Sequence, residues 1–183
     1  MRIYSTCPCR LSLLGGGSDV SPFADTYGAE ILNLAINIRH HVELIPRQDN
    51  WVWIEAMGES RIHKIDKLPE PQIDPKFDLI YQTIRYYQTL TDGLPSGFQL
   101  IDGFDGIQGS GIGSSASATV AMIGAFNKWL GMKPDKLFIA KTAQEMETSL
   151  GWISGHQDQI ASLYGGVNYY EGYGFPKFVQ HVN

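Results

Sequence analysis

Four stretches of this 183-residue chain carry residues whose types and spacing can do chemistry. The first is Gln108 to Thr119, Q-G-S-G-I-G-S-S-A-S-A-T. Gly109, Gly111 and Gly113 at every second position predict a loop, because glycine loses the most backbone freedom on ordering and has no side chain to pack. An amphipathic run follows, predicting a helix over Ala116 to Leu130 with the serines placed to cap it and Gly131 to close it. A glycine loop that feeds a helix N-terminus aims several N–H groups and the positive end of the helix dipole at one point. That point suits an anion, above all a phosphate.

The second stretch is Pro134 to Leu150. Helical spacing sets Leu137, Ala140, Ala143 and Leu150 on one face with Glu147 among them, whereas Glu145 turns away beside Lys141, four residues earlier. A carboxylate on an apolar stripe needs a cation or a donor to offset desolvation, unless it escapes to solvent at the end of the stripe. The third is Gly155-His156-Gln157-Asp158-Gln159, which places Asp158 in the first turn of a short helix. There the dipole favours its ionised form, a reactive base or plain charge complementarity. The fourth is Gly15-Gly16-Gly17-Ser18-Asp19, a sharp turn that lets backbone approach something closely. Asp19 then offers a carboxylate at its lip, or caps the segment from Val20 with Pro22 in the first turn.

The glycine loop departs from three common patterns. No lysine follows as in a P-loop, and Ser114 stands where the dinucleotide fingerprint has its third glycine. Ser117 replaces the last glycine of a hydrolase elbow. On this stretch alone a phosphate cradle and a flexible glycine turn both stay open.

The elements that must position these groups read as mixed α and β. Residues 2 to 14 predict one or two short strands broken at Pro8; Ile31 to Ile38 predicts a buried strand. Arg39 to Pro46 and Trp51 to Ala56, separated by Gln48-Asp49-Asn50, predict a hairpin, with a further strand near Arg61 to Ile65. After a proline-bearing connection from Pro69 to Pro75, Phe77 to Leu90 has the spacing of a helix packed on a sheet. Gly97 to Ile101 is a strand leading into the glycine loop, and Val167 to Glu171 another, with Phe178 to Val182 as its hairpin partner. His40, His41 and His63 fall on strands without metal-ligand spacing and read as surface or edge histidines.

Length suits a single domain, residues 1 to 183, and 43% hydrophobic against 18% charged residues is the composition of a packed globular chain. A net charge of -5 argues against a nucleic-acid or acidic-membrane surface, so a phosphate site has to be local. No apolar run is long enough for a signal peptide or a membrane span. Cys7 and Cys9 are too close for a zinc C-x-x-C pair and read as reduced thiols of a cytoplasmic protein.

Three of these motifs occur together, in order: C-P-C-R-L-S-L-L-G-G-G-S-D-V at 7 to 20, G-S-G-I-G-S-S-A-S at 109 to 117 and G-H-Q-D-Q at 155 to 159. The set resembles the N-terminal half of the GHMP small-molecule kinases. Within that superfamily G-G-G-S-D-V, H-Q-D-Q and G-G-V-N look most like the sugar-1-kinases acting on heptose 7-phosphate and related sugars. The resemblance implies a two-layer α/β fold, a mostly antiparallel sheet covered by helices. It further implies an enzyme that moves the γ-phosphate of ATP to the anomeric hydroxyl of a sugar or sugar phosphate, with Mg²⁺. Residue by residue, Gly109, Ser110, Gly111, Ile112, Gly113, Ser114 and Ser115 would wrap the phosphates. Ser115 and Glu147 would ligate the metal, Asp158 would face the acceptor hydroxyl beside Arg10, and Asp19, Gly16, Gly17 and Gly155 would line the sugar site. Galactokinases carry Glu-His where this chain has Gly16 and Gly17, an exchange expected to open room for a bulkier or phosphorylated sugar. The usual proline at the loop entry is Gln108 here.

The resemblance covers only the N-terminal domain of the family, so a truncated chain is expected. Tyr169, Tyr170, Tyr173, Phe175 and Phe178 would then form an apolar face open to self-association. A sugar- or nucleotide-binding module without turnover is the alternative on the same fold.

Overall fold

The computed structural model describes residues 1–74, 76–177 and 179–182. In chain order the elements are β1 (Ile3–Leu14), α1 (Phe23–Tyr27), β2 (Ala29–Pro46), β3 (Trp51–Ala56), β4 (Glu59–Lys64) and α2 (Asp78–Leu90). They continue with β5 (Phe98–Phe104), α3 (Ser114–Leu130), α4 (Lys136–Ser149), α5 (Gln157–Tyr164), β6 (Val167–Gly172) and β7 (Gln180–Val182). Seven strands form one sheet in the order β4-β3-β5-β2-β6-β7, with β1 also paired to β2. Every pairing is antiparallel except β3 with β5.

The spine is β2, whose 18 residues join what the sequence divides into two strands. It pairs with β1 through residues 32–44, with β5 through residues 40–46 and with β6 through residues 29–34. The predicted hairpin between β2 and β3 does not form: β5 lies between them, parallel to β3. The chain turns back at Met57-Gly58 instead, both at positive φ, to pair β3 with β4. Two consecutive left-handed residues match the strand twist at a two-residue turn, and a Gly in the second place makes it cheap. Pro8 does not break β1 either. The ladder shifts register between Pro8 and Arg10, which accommodates the missing N–H, skips Cys9 and brings Arg10 opposite Ala35.

Helices α2 and α3 cover the face of the sheet on which Val42, Leu44, Val52, Ile54, Phe98 and Leu100 are fully buried. Each such side chain contributes about 1.5–3 kcal/mol by leaving water. Tyr87 of α2 donates to Asn127 Oδ1 of α3 at 2.7 Å, so the core also fixes the register between these helices. Helix α4 packs on α3 and α5, and α5 packs on β1, which brings the second half of the chain back onto the first.

The histidines divide. His41 is exposed, His63 lies 3.0 Å from the Tyr81 hydroxyl, and His40 is 3% exposed, so the expectation of surface or edge positions does not hold for it. Cys7 and Cys9 are free and buried. Of the expected apolar face, Tyr170 is buried in a small core cluster with Ile31 and Ile160, Phe175 packs against that cluster, and Tyr173 is exposed. Phe178 lies outside the described residues. Exposed apolar side chains gather along the end of β1 instead, at Leu11, Leu13 and Leu14. No helix is long and apolar enough to cross a membrane among the described residues.

Candidate active site

The loop between β5 and α3 opens with Asp105 N–H donating to Arg39 C=O, which anchors it to β2. Gly109, Gly111 and Gly113 then all take φ between 73° and 76°. Alternation of left-handed with ordinary residues turns successive N–H groups toward one concave side, the backbone pattern of an anion nest. A Cβ at Gly109 or Gly111 would meet nothing within 4 Å, whereas one at Gly113 would lie 2.8 Å from Asp158 Oδ2. The third glycine therefore lets the loop and α5 come together. It is also the residue that caps α3: the serines make no side-chain cap, contrary to the sequence reading, and the helix starts at Ser114.

Arg10 locks this junction. Its Nε donates to Asp158 Oδ1 at 2.5 Å, its Nη1 to Gly111 C=O at 2.8 Å, and its backbone N–H to Ile112 C=O at 2.9 Å. Burial pushes the Asp158 carboxyl above its ordinary value, and the adjoining Arg10 guanidinium pulls it back down.

Glu147 is 3% exposed, on the buried face of α4 as the helical spacing requires, while Glu145 is exposed and 3.8 Å from Lys141. Its Oε2 accepts from Ser154 Oγ at 2.5 Å and from Gln159 Nε2 at 2.8 Å. Its Oε1 is buried without a partner among the described residues. Burial raises the Glu147 carboxyl, opposed by the hydroxyls of Ser154 and Ser115 and the Gln159 amide. An orphaned carboxylate oxygen beside a serine hydroxyl is a hard-oxygen donor pair. Mg²⁺ takes such donors and keeps the rest of its shell for water and phosphate oxygens, so these residues fit it. Among the described residues no three His, Cys, Asp or Glu side chains come together as a larger metal cluster.

Asp19 lines the same cavity as Arg10 and Asp158, and it also caps a helix that the sequence reading did not name. It is 1% exposed and accepts from the backbone N–H groups of His156 and Gln157 at 2.8 and 2.9 Å, and from Gln157 Nε2 at 3.2 Å. It therefore caps α5 from 137 residues away, rather than the segment from Val20. Gly155 permits this, since a Cβ there would lie 2.2 Å from Asp19 Oδ2. Gly17 borders open space, but a Cβ at Gly16 would strike Ser12 Oγ at 2.6 Å, so the expected room exists on one side only.

Two cavities flank the loop. One, of about 220 Å³, is lined by Arg10, Asp19, Glu147, Gln157 and Asp158 together with Gly17, Ser154 and Gly155. The other, of about 380 Å³, runs from Gln108 and Gly109 past Ser114 to the apolar side chains of Leu79, Ile80 and Met122. Ser115 lines both. Sequence reasoning missed the supports of the carboxylates: Ser154 and Gln159 on Glu147, Gln157 on Asp19. The available signal was the pair of amides flanking Asp158 in Q-D-Q, which on one helical turn can reach to either side of it.

Known proteins similar to this chain fall in one family. The family model for the GHMP kinases N terminal domain matches residues 78–166. The chain is 34% identical over 174 residues to D-glycero-alpha-D-manno-heptose 7-phosphate kinase of Campylobacter jejuni, a match covering 93% of this chain and 51% of that protein. It is 27% identical over 188 residues to mevalonate kinase of Thermococcus onnurineus, covering 93% and 52%. Among solved structures, D-glycero-D-manno-heptose 1-phosphate kinase from Bacteriodes thetaiotaomicron superposes with a TM-score of 0.90 at 29% identity, over 100% of this chain and 60% of that one. The chain thus spans about half the length of the curated relatives it matches. Its similarity is to the GHMP kinases, and within them to the N-terminal domain.

Proposed function

We propose that this chain acts in an ATP-dependent sugar kinase, moving the γ-phosphate to the anomeric hydroxyl of a sugar or sugar phosphate. D-glycero-D-manno-heptose 7-phosphate or a close relative is the acceptor that the heptose kinase relatives point to. The observation that carries the reading is Ser115, which stands at the wall between a largely apolar cavity fit for a nucleoside and a polar one fit for a sugar.

In this reading the N–H groups of residues 109–115 hold the phosphates, and the bound phosphate offsets the desolvation of the nest. Ser115 Oγ and Glu147 Oε1 would hold Mg²⁺, which supplies neutralisation of charge on the phosphate oxygens. Asp158 accepts the proton of the attacking hydroxyl as its oxygen bonds to the γ-phosphorus, while the bond from that phosphorus to the bridging oxygen breaks and ADP departs. Arg10 keeps Asp158 ionised and, through Gly111 and Ile112, ties the position of that base to the shape of the phosphate loop. Asp19 Oδ1, engaged only by one amide at 3.2 Å, keeps acceptor capacity for a sugar hydroxyl. Open space at Gly17 leaves room for the longer carbon chain. A cytoplasmic setting accords with ATP as substrate and with two buried free thiols. The leucines at the end of β1 offer a face for a homo-oligomer.

Calorimetric titration with ATP, with and without Mg²⁺, tests the reading. Wild type is expected to bind more tightly with Mg²⁺, and Ser115→Ala and Glu147→Gln to lose most of that gain while keeping metal-free binding. Equal dependence on Mg²⁺ in all three proteins would count against the assignment.

A further inference from the structure

His40 occupies a place that the phosphotransfer chemistry does not use. It is the last core-facing residue of β2 toward the phosphate loop, in line with Val42 and Leu44, and is 3% exposed. Its ring stacks on Phe104, its cross-strand partner, with centroids 4.3 Å apart and planes at 12°, so its orientation is fixed. Its Nδ1 lies 2.9 Å from Asp102 Oδ1. An ionised carboxylate only accepts, so Nδ1 carries a hydrogen. The second nitrogen, Nε2, is buried and has no partner among the described residues. With the ring hydrogen on Nδ1, the lone pair of the imidazole sits on Nε2. Nε2 is therefore an acceptor held ready for a donor.

His40 and Asp102 are both lining residues of the cavity of about 380 Å³ that ends at Ser114 and Ser115. Its other walls include Leu79, Ile80 and Met122. Lys76 and Gln108, like Asp102, line it too, and mostly apolar walls with a few placed polar groups are the usual design for gripping a flat heteroaromatic ring and setting its identity. We propose that His40 reads position 6 of the nucleotide base, and that the Asp102–His40 pair sets a preference for adenine over guanine. This rests on the ATP-kinase reading above. Adenine presents an amino donor at that position, which Nε2 accepts; guanine presents a carbonyl acceptor, which leaves both groups unpaired. Asp102 acts through His40 as a positioning residue, since it fixes the tautomer.

The experiment measures equilibrium binding of ATP, GTP and purine riboside 5′-triphosphate, which lacks only the 6-amino group, with Mg²⁺ present. Wild type is expected to prefer ATP over the desamino analogue by about tenfold, the loss of one hydrogen bond with its acceptor left buried, and to bind GTP still more weakly. His40→Phe, which keeps the stacking on Phe104, is expected to bind ATP and the desamino analogue equally. Asp102→Asn, whose amide can donate to Nδ1 and so release the tautomer, is expected to narrow the gap between ATP and GTP. The assignment is overturned if wild type does not distinguish ATP from the desamino analogue, or if either variant discriminates as wild type does. Failure of wild type to bind any of the three would overturn the kinase reading as well, whereas ATP binding with unchanged discrimination would overturn the role of His40 alone.

Discussion

Asp158, part-buried, and Glu147, buried, are two carboxyls in different environments. Asp158 shares its charge with Arg10, so loss of the guanidinium removes the force that opposes desolvation. A base must be ionised to accept a proton, so activity falls on the acid side of its titration. Arg10→Met is expected to move the acid limb of the pH–rate profile to higher pH, besides lowering kcat; an unmoved limb would separate Arg10 from the base. Among the described residues Glu147 has no cation, and its hydroxyl and amide donors fall on one oxygen. Its folded value lies above its ordinary 4.5, so ionisation costs the folded state more than the unfolded one. That cost is absent below the unfolded value and grows as pH rises through it. Glu147→Gln is therefore expected to raise the thermal midpoint of the ligand-free protein at neutral pH, with the gain shrinking to nothing in acid below 4.5. A variant less stable than wild type at neutral pH would contradict this reading.

At the scale of elements, the glycines decide how closely two segments approach. Gly111 and Gly113 share the left-handed conformation, but only Gly113 faces Asp158. Gly111→Ala is expected to cost about 1–2 kcal/mol for the backbone alone, read as a lowered midpoint. Gly113→Ala adds a contact at 2.8 Å and is expected to cost more and to push Asp158 from Arg10, so that turnover falls further than stability. Equal effects of the two would mean that the loop and α5 are not in register. Much of this level was legible in the sequence. The helices follow from apolar spacing, and that same spacing put Glu147 rather than Glu145 inside. What was not legible depends on which distant segments meet. Nothing local says that β5 comes between β2 and β3, because a loop of three polar residues looks like any hairpin turn. Nothing near Asp19 names α5 as the helix that it caps, and His40 reads as a surface residue until Phe104 and Asp102 are brought beside it across the sheet.

For the whole molecule, the fold holds two cavities on either side of one helix N-terminus. β2 fixes β1, which carries Arg10, and β5, which leads into the glycine loop. α4 and α5 then bring Glu147 and Asp158 to the same wall. Positioning of this kind is most of what phosphoryl transfer asks of a protein. ADP release from Mg-ATP across a panel of heptose 7-phosphate, fucose, mannose and galactose, run beside Asp158→Asn, tests it most directly. Turnover is expected with heptose 7-phosphate above the other sugars, and the variant is expected to lose about 10²–10⁴-fold in kcat while still binding ATP. Absence of ADP release with every sugar, or release that survives the substitution undiminished, would contradict the assignment of Asp158 and of a sugar kinase site to this chain.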